Sequence, residues 1–454
     1  MNPRFLNRFS DLWRVLSGEA GDLFVRRPRY LIGRQRLEIR HLFRGVERTP
    51  AVTIYTGVLW IIPLVMVNAY AAPYMVECGL SRAEVGYFTA WSQALYLLGF
   101  LSGGHLADTW GRKKTLVLFD TTSWGLYTLF LAVGLNKWWC VAAIFAMATN
   151  AGANISYQCL LVEGVKPYKR SRIFTLLQFV NLLPSVIFLP LLGGVLVSRF
   201  GLVPAGHAMY AFFFLCIGTG IFLRWKYIPD APPASRAPVG GWSTLKDMGA
   251  SGYAAFRTFL GKPGARPFFA ARLVEEFKLF AWTTYSSLFL IDAVGITKGH
   301  IAVLVQASAY VTFLVVIGII PYVPVRRFLG FLGYEQLFAV SALGIFLLAR
   351  GSDERLLLSL VGMGLMAVTT AFYWSANNAY WLTIMGDTQR AKVVSFATAV
   401  IRASIFVLGP LAAVLYVKVS PESLVAVLMV LLCVEFLLLR RVVRVTPHVA
   451  AGNA

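Results

Sequence analysis

The stretch FFAARLVEEFKLFAW, residues 268–282, sets Arg272, Glu275, Glu276 and Lys278 into an otherwise apolar run. Charge in apolar surroundings is costly unless it is paired or put to use. At helical spacing Arg272 meets Glu276 four residues on, and Glu275 meets Lys278 three residues on, so neutralisation along one helix surface is one reading. The other is that Glu275 or Glu276 faces a cavity and takes up and releases a proton. Asp120 in TLVLFDTTSW and Arg402 in VIRASIF are two further charges in apolar segments. Asp120 stands near Arg112, Lys113 and Lys114, which can neutralise it. Arg402 has no acidic neighbour on its own helix, so it can serve as counter-ion to the carboxylates or to an anionic ligand.

Uncharged polar residues form a second set. In AFYWSANNAYWL, residues 371–382, Tyr373, Asn377 and Tyr380 share one helical face and Trp374, Asn378 and Trp381 the next. Aromatic faces with interleaved amides suit an uncharged polar or amphipathic solute, the alternative being interfacial anchoring. Asn150, Asn154 and Gln158 recur at four-residue spacing, and Gln178 and Asn181 extend the stripe, either lining a cavity with Lys278 or bonding helix to helix. Enzymatic chemistry finds no support: no HExxH, GxSxG or P-loop occurs, and the five histidines are scattered. Cys78, Cys140, Cys159, Cys216 and Cys433 fall singly. Cys78 and Cys140 could bridge at one face, but all five read as packing residues, and neither metal nor cofactor is expected.

The elements that must carry these residues follow from composition. Of 454 residues 58% are hydrophobic and only 14% charged, with mean hydropathy +0.67, so most of the chain has lipid as its solvent. Apolar runs near the roughly 20 residues needed to cross hydrocarbon lie at 51–75, 85–107, 116–135, 138–161, 173–197 and 204–223, then at 268–291, 301–322, 328–348, 356–382, 393–417 and 423–439. The expected fold is therefore an all-α membrane protein of about twelve spans in two six-helix bundles, 51–223 and 268–443. A polar linker, 224–267, joins them, and a short tail occupies 444–454.

The net charge of +21 raises nucleic acid as a partner, but its distribution argues otherwise. Basic residues crowd alternate connections, among them Arg112 to Lys114, Lys166 to Arg172, Arg326 and Arg327, Arg390 and Lys392, and Arg440 to Arg444. The positive-inside rule then places both termini in the cytoplasm and accounts for the charge without nucleic acid. Within the basic arm 1–50, Phe5, Leu6, Phe9, Leu12, Trp13 and Leu16 recur at helical spacing between arginines. That pattern fits a helix lying on a membrane surface or a disordered tail. The arm lacks the compact apolar core of a secretory signal.

An internal repeat supports two halves: RSRIFTLLQFVNLLPSVIFLPLLGGVL from Arg170 aligns with RAKVVSFATAVIRASIFVLGPLAAVL from Arg390, with Pro190 over Pro410. Between the second and third spans stands GHLADTWGRKKTL. It resembles the loop signature of the major facilitator superfamily, Gly-x-Leu-Ala-Asp-x-x-Gly-Arg-Lys-Lys. After the fourth span LLVEGVKPYKRSR places Glu163 seven residues before Arg170, similar to the Glu and Arg that pair with that signature.

The resemblance implies a latch of Gly104, Asp108, Gly111, Arg112, Glu163 and Arg170 closing one side of a secondary transporter. The second half departs from it, since PVRRFLGFLG lacks the Asp. The fifth span offers Pro190, Gly193 and Gly194, similar to an antiporter signature, with Ser185 and Leu189 where that signature has Gly.

What the resemblance implies is alternating access for a small solute at an inner membrane, coupled to protons through Glu275, Glu276 or Asp120. Arg402, Tyr373, Trp374, Asn377, Asn378, Asn150, Asn154, Gln178, Asn181 and Lys278 are the cavity candidates. A proton-independent facilitator and a sensor that binds without translocating are the alternatives. Lipids are the expected surroundings, and the chain is expected as a monomer.

Overall fold

The computed structural model describes residues 46–134, 136–161, 163–165, 170–187, 189–230, 242–320, 332–385 and 390–445. Residues 1–45 of the amino-terminal arm, with the surface helix expected there, and residues 446–454 of the tail lie outside them. Among the described residues all regular structure is helical.

The first span is α1 (Arg48–Val67) and α2 (Ala71–Glu77), the second α3 (Arg82–Thr109). The third is α4 (Arg112–Asp120) and α5 (Leu126–Val133), joined by a wide π turn, and the fourth α6 (Lys137–Ala148) and α7 (Asn150–Leu161). The fifth is α8 (Arg170–Val186) and α9 (Leu189–Phe200), the sixth α10 (Leu202–Tyr227). A linker helix, α11 (Trp242–Leu260), follows. The second half comprises α12 (Ala265–Asp292), α13 (Lys298–Phe313), α14 (Glu335–Ala349), α15 (Arg355–Met385), α16 (Arg390–Val414) and α17 (Pro421–Val445).

Among the described residues eight helices are long and apolar enough to cross a membrane on length and composition alone. The second, fourth, seventh and ninth spans fall short of that standard. The seventh, α12, carries the charges singled out above, the fourth is stepped at Thr149, and the described part of the ninth is 15 residues long. The sixth helix continues to Tyr227, so Arg224, which the sequence puts at the start of the linker, belongs to the helix and is buried.

The start of α4 depends on Gly111, whose φ of 94° is a backbone conformation that side chains with a Cβ disfavour. The α3 start is fixed by a capping box: Ser81 Oγ accepts the Glu84 N–H and Glu84 returns the bond to the Ser81 N–H.

The two halves meet along α3 with α16 and along α9 with α13, and at each a glycine packs against an alanine. A Cβ on Gly409 would come within 2.7 Å of the Ala90 Cβ, and one on Gly194 within 2.5 Å of the Ala302 Cβ. Small residues let backbones approach where lipid supplies no hydrophobic drive for association. At the end opposite the linker helix, ion pairs also cross between halves. Arg82 at the start of α3 makes a two-pronged bond to Asp292 at the end of α12, 2.6 and 2.7 Å, and Tyr416 donates to the same carboxylate at 2.9 Å. Lys298 pairs with Glu77, and Tyr285 donates to the Arg82 carbonyl at 3.2 Å. At the other end the linker helix lays Tyr253 and Phe256 on Phe396 of α16, with ring centroids 5.8 and 5.3 Å apart.

Candidate functional site

Arg402 is the residue on which the halves converge. From α16 its guanidinium donates to Gln93 Oε1 of α3 at 3.3 Å and lies over the Tyr96 ring, 4.6 Å from its centroid. On the other side it pairs with Glu276 of α12 at 3.7 Å. Its Nε is buried and makes no hydrogen bond among the described residues. Glu276 in turn binds Arg272 at 2.6 Å, as the four-residue spacing led one to expect, and Arg272 donates to Tyr373 Oη of α15 at 3.2 Å. Asn154 of α7 donates to Tyr96 Oη at 3.3 Å. One chain of contacts therefore runs Asn154, Tyr96, Arg402, Glu276, Arg272, Tyr373, from the first half into the second. With two guanidinium groups and one carboxylate, that chain carries one net positive charge.

Glu275 does not share this group. It projects from the adjacent position of α12 into the interior of the second half, where it pairs with Lys278. Lys278 Nζ also donates to Gln336 Oε1 of α14 and Glu435 Oε2 of α17, both at 3.1 Å, and Gln336 Nε2 donates to Glu435 Oε1 at 3.1 Å. Glu435 and Gln336 are fully buried, and Glu275, Lys278 and Glu335 are each at most 9% exposed. Lys278 therefore lies in a polar cluster enclosed by helices. The Tyr373 ring is its one contact with the seam chain among those described, 5.7 Å from Nζ to centroid.

A third group sits in the first half. Asp120 binds the Arg224 guanidinium at 2.5 Å, Arg224 Nε donates to Thr56 Oγ1 at 2.9 Å, and the guanidinium lies 4.0 Å over the Trp60 ring. The partner that Asp120 finds is in the sixth span rather than in the adjacent basic loop. This pair forms one wall of a cavity of about 270 Å³, whose polar lining includes Asn150, Asn154, Tyr157 and Asn181. Asn154 thus belongs both to the cavity and to the seam chain. Gln178 is exposed and lies apart from that lining.

Of the latch, Arg112 and Glu163 approach to 3.5 Å, and both remain partly exposed. The side chains of Asp108 and Arg170, like those of Trp374, Asn377 and Asn378, lie outside the described residues, as does Gly104 beyond its place in α3. The cysteines Cys78 and Cys140 are free thiols. Among the described residues no group of histidine, cysteine and carboxylate side chains could hold a metal ion.

Sequence reasoning missed Gln93, Tyr96, Gln336, Glu335 and Glu435. Glu435 had a visible signal, a lone carboxylate in LLCVEFLLL. Gln93 and Tyr96 had none, because their role depends on which face of α3 meets α16.

A sequence model of the Major Facilitator Superfamily matches residues 53–352. No functionally curated protein matches the chain. Among solved structures the fold is similar to a bacterial homolog of the human lysosomal transporter Spinster in an inward-facing, unoccupied conformation, with TM-score 0.59 and 16% identity over 87% of this chain and 97% of that one. It is similar to the nucleoside transporter NupG, with TM-score 0.62 and 12% identity over 87% and 99%. It is also similar to a POT family transporter in complex with a thioalcohol conjugated peptide, with TM-score 0.66 and 10% identity over 90% and 98%. With its apolar helices, its two seamed halves and this family match over most of its length, the chain belongs to the Major Facilitator Superfamily and is a multi-pass membrane transporter, not an enzyme.

Proposed function

We propose that the chain is a secondary active carrier that moves a small solute bearing an anionic group across an inner membrane, coupled to protons, with both termini on the cytoplasmic side. The observation that supports this most is Arg402: a guanidinium at the seam, shared between Gln93 of one half and Glu276 of the other, with its Nε unbonded. A charged group inside a membrane bundle is retained for pairing or for a ligand, and this one is incompletely paired. A carboxylate or phosphate of the solute entering the seam would meet one net positive charge and a planar donor fork suited to it. The amide-lined cavity beside Asn154 would take the uncharged remainder.

Rocking of the halves about this site would expose it alternately. The ion pairs Arg82–Asp292 and Glu77–Lys298 would hold the end away from the linker shut, and Arg112–Glu163 with the rest of the latch would act at the other. Among solved relatives of the same fold, one POT family transporter is described in complex with 5-aminolevulinic acid, a solute that carries a carboxylate.

The test is uptake of candidate solutes by proteoliposomes under an imposed pH gradient, comparing wild type with Arg402→Gln. Anionic solutes should be accumulated by the wild type, and Arg402→Gln should lose at least about tenfold in affinity for them, since a charge-assisted pair contributes roughly 1.5–3 kcal/mol. Equal affinity of the two proteins for every transported solute would sink the anionic reading. Uptake indifferent to the pH gradient would replace the proton-coupled carrier with a facilitator.

A further inference from the structure

The buried cluster of the second half has more carboxylates than cations. Lys278 is enclosed with Glu275 on its own helix and Glu435 on α17, bonded to the second at 3.1 Å and ion-paired with the first. Both carboxyl groups meet the same Lys278 Nζ, and Glu275 Oε2 is buried without a hydrogen-bond partner. A third, Glu335, opens α14, where the positive end of the helix dipole favours a carboxylate, and its Oε1 is buried without a hydrogen-bond partner among the described residues. The remaining neighbours are Gln336 on α14 and Tyr373 on α15, both uncharged, while Arg272 is bound to Glu276 and Tyr373.

Among the described residues one ammonium thus bonds to two carboxyl groups, the next cation toward Glu275 being the Arg272 guanidinium already bound to Glu276, and Glu435 is fully excluded from solvent. An uncompensated charge in such a place costs several kcal/mol, and a bound proton removes it. Glu276 differs: it sits between two guanidinium groups and has its compensating charge already.

We propose that Glu275 and Glu435 together bind one proton, shared around Lys278, and that this pair, set inside the second half behind the solute seam, is the proton-binding site of the carrier. The step is a simple protonation. A proton from water on one side becomes the O–H of one of the two carboxyl groups beside Lys278. Its loss to the opposite side restores the second carboxylate, and no other bond is made or broken. The site connects to the seam through Tyr373, which lies over Lys278 and accepts from Arg272. Proton occupancy can thereby bias the Arg272–Glu276–Arg402 chain that meets the solute. Its role in coupling rests on the proton-coupled reading given above, whereas the binding of the proton does not.

Infrared difference spectroscopy of the full chain in liposomes, titrated with pH in the absence of any solute, reads protonated carboxyl groups directly by their C=O stretch and its shift in D2O. Wild type should show a titrating carboxyl band, Glu435→Gln and Glu275→Gln should lose it, and Glu276→Gln should keep it. Lys278→Gln removes the ammonium to which both carboxyl groups are bound, so both should then carry protons and the band should grow about twofold. Chromatographic homogeneity and far-ultraviolet circular dichroism identify variants that retain the fold. If Glu435→Gln fails to fold, the growth of the band in Lys278→Gln decides the matter by itself. A band unchanged in Glu275→Gln, or unchanged in Lys278→Gln, overturns the assignment. Solute uptake without proton movement, in a protein whose band behaves as expected, overturns the coupling and leaves the assignment of the proton site supported.

Discussion

Replacing Asp120 by Asn tests whether the charge pair of the first half is structural. Asp120 and Arg224 are each about 4% exposed, their contact is 2.5 Å, and the guanidinium has Thr56 and the Trp60 face as its remaining partners. Asp120→Asn keeps the shape of the side chain and deletes the counter-charge, leaving a buried cation with only neutral neighbours, Thr56, Trp60 and the amide-lined cavity. Breaking a buried pair in this way costs about 3–5 kcal/mol. The stacking on Trp60, worth roughly 2 kcal/mol when desolvated, survives and holds the guanidinium in place, so relief by swinging into solvent is blocked. Removing both charges is a different matter. Asp120→Leu with Arg224→Met leaves no uncompensated ion, and such replacements are neutral or stabilising by about 1–4 kcal/mol. The expected pattern is a severe loss of stability in Asp120→Asn and recovery in the double variant, measured by denaturant-induced unfolding in mixed micelles. Solute uptake should recover along with stability. An Asp120→Asn protein within about 0.5 kcal/mol of wild type would refute the reasoning. So would a stable double variant that no longer transports, since Asp120 would then be needed for more than pairing with Arg224.

Further expectations concern the rim and its cap. Asp292→Asn weakens the two-pronged pair with Arg82, which is half exposed on the arginine side, so the loss is about 1 kcal/mol at most and the population open at that end should rise up to about fivefold. Paired spin labels across the rim should show the longer distance gaining weight, and high salt should mimic the substitution in wild type. Glu84 is held below the usual carboxylate range by the Ser81 N–H it accepts and by Lys137. Its folded value lies below its unfolded one, so its stabilisation is complete above the ordinary carboxylate range and is lost as pH falls through the lowered value. Acidification to below the ordinary carboxylate range should therefore loosen the start of α3, read as faster amide exchange there, and Glu84→Gln should show no such pH dependence. Unchanged exchange in the wild type would count against the capping box.

The helical framework was legible because the requirement is one-dimensional: enough consecutive apolar residues to cross hydrocarbon. The i to i+4 pair Arg272–Glu276 was legible for a similar reason, as both partners lie on one helix. Pairs between helices were not. Arg402 was conspicuous in the sequence, but its partners Gln93 and Tyr96 lie some three hundred residues away on α3, and helical periodicity alone does not say which faces meet. The adjacent Glu275 and Glu276 illustrate the point from one helix. A rotation of about 100° per residue sends one to Lys278 and Glu435 inside the bundle and the other to the seam, and either assignment was compatible with the sequence. Arg224 was assigned to the linker because a basic residue beside a polar stretch reads as solvent-facing. Its burial depends on a carboxylate about a third of the way along another span.

The glycine and alanine contacts on the two flanks of the seam bear on how such a machine tolerates wear. Because Gly409 rests on Ala90 and Gly194 on Ala302, the halves bear on one another through main chain, like journals in a plain bearing. At those two points neither a glycine nor an alanine has a rotamer to change as the halves turn. The polar residues between those two tracks are thereby relieved of mechanical duty, so the solute-facing chemistry is free to diverge among descendants while the hinge stays as it is.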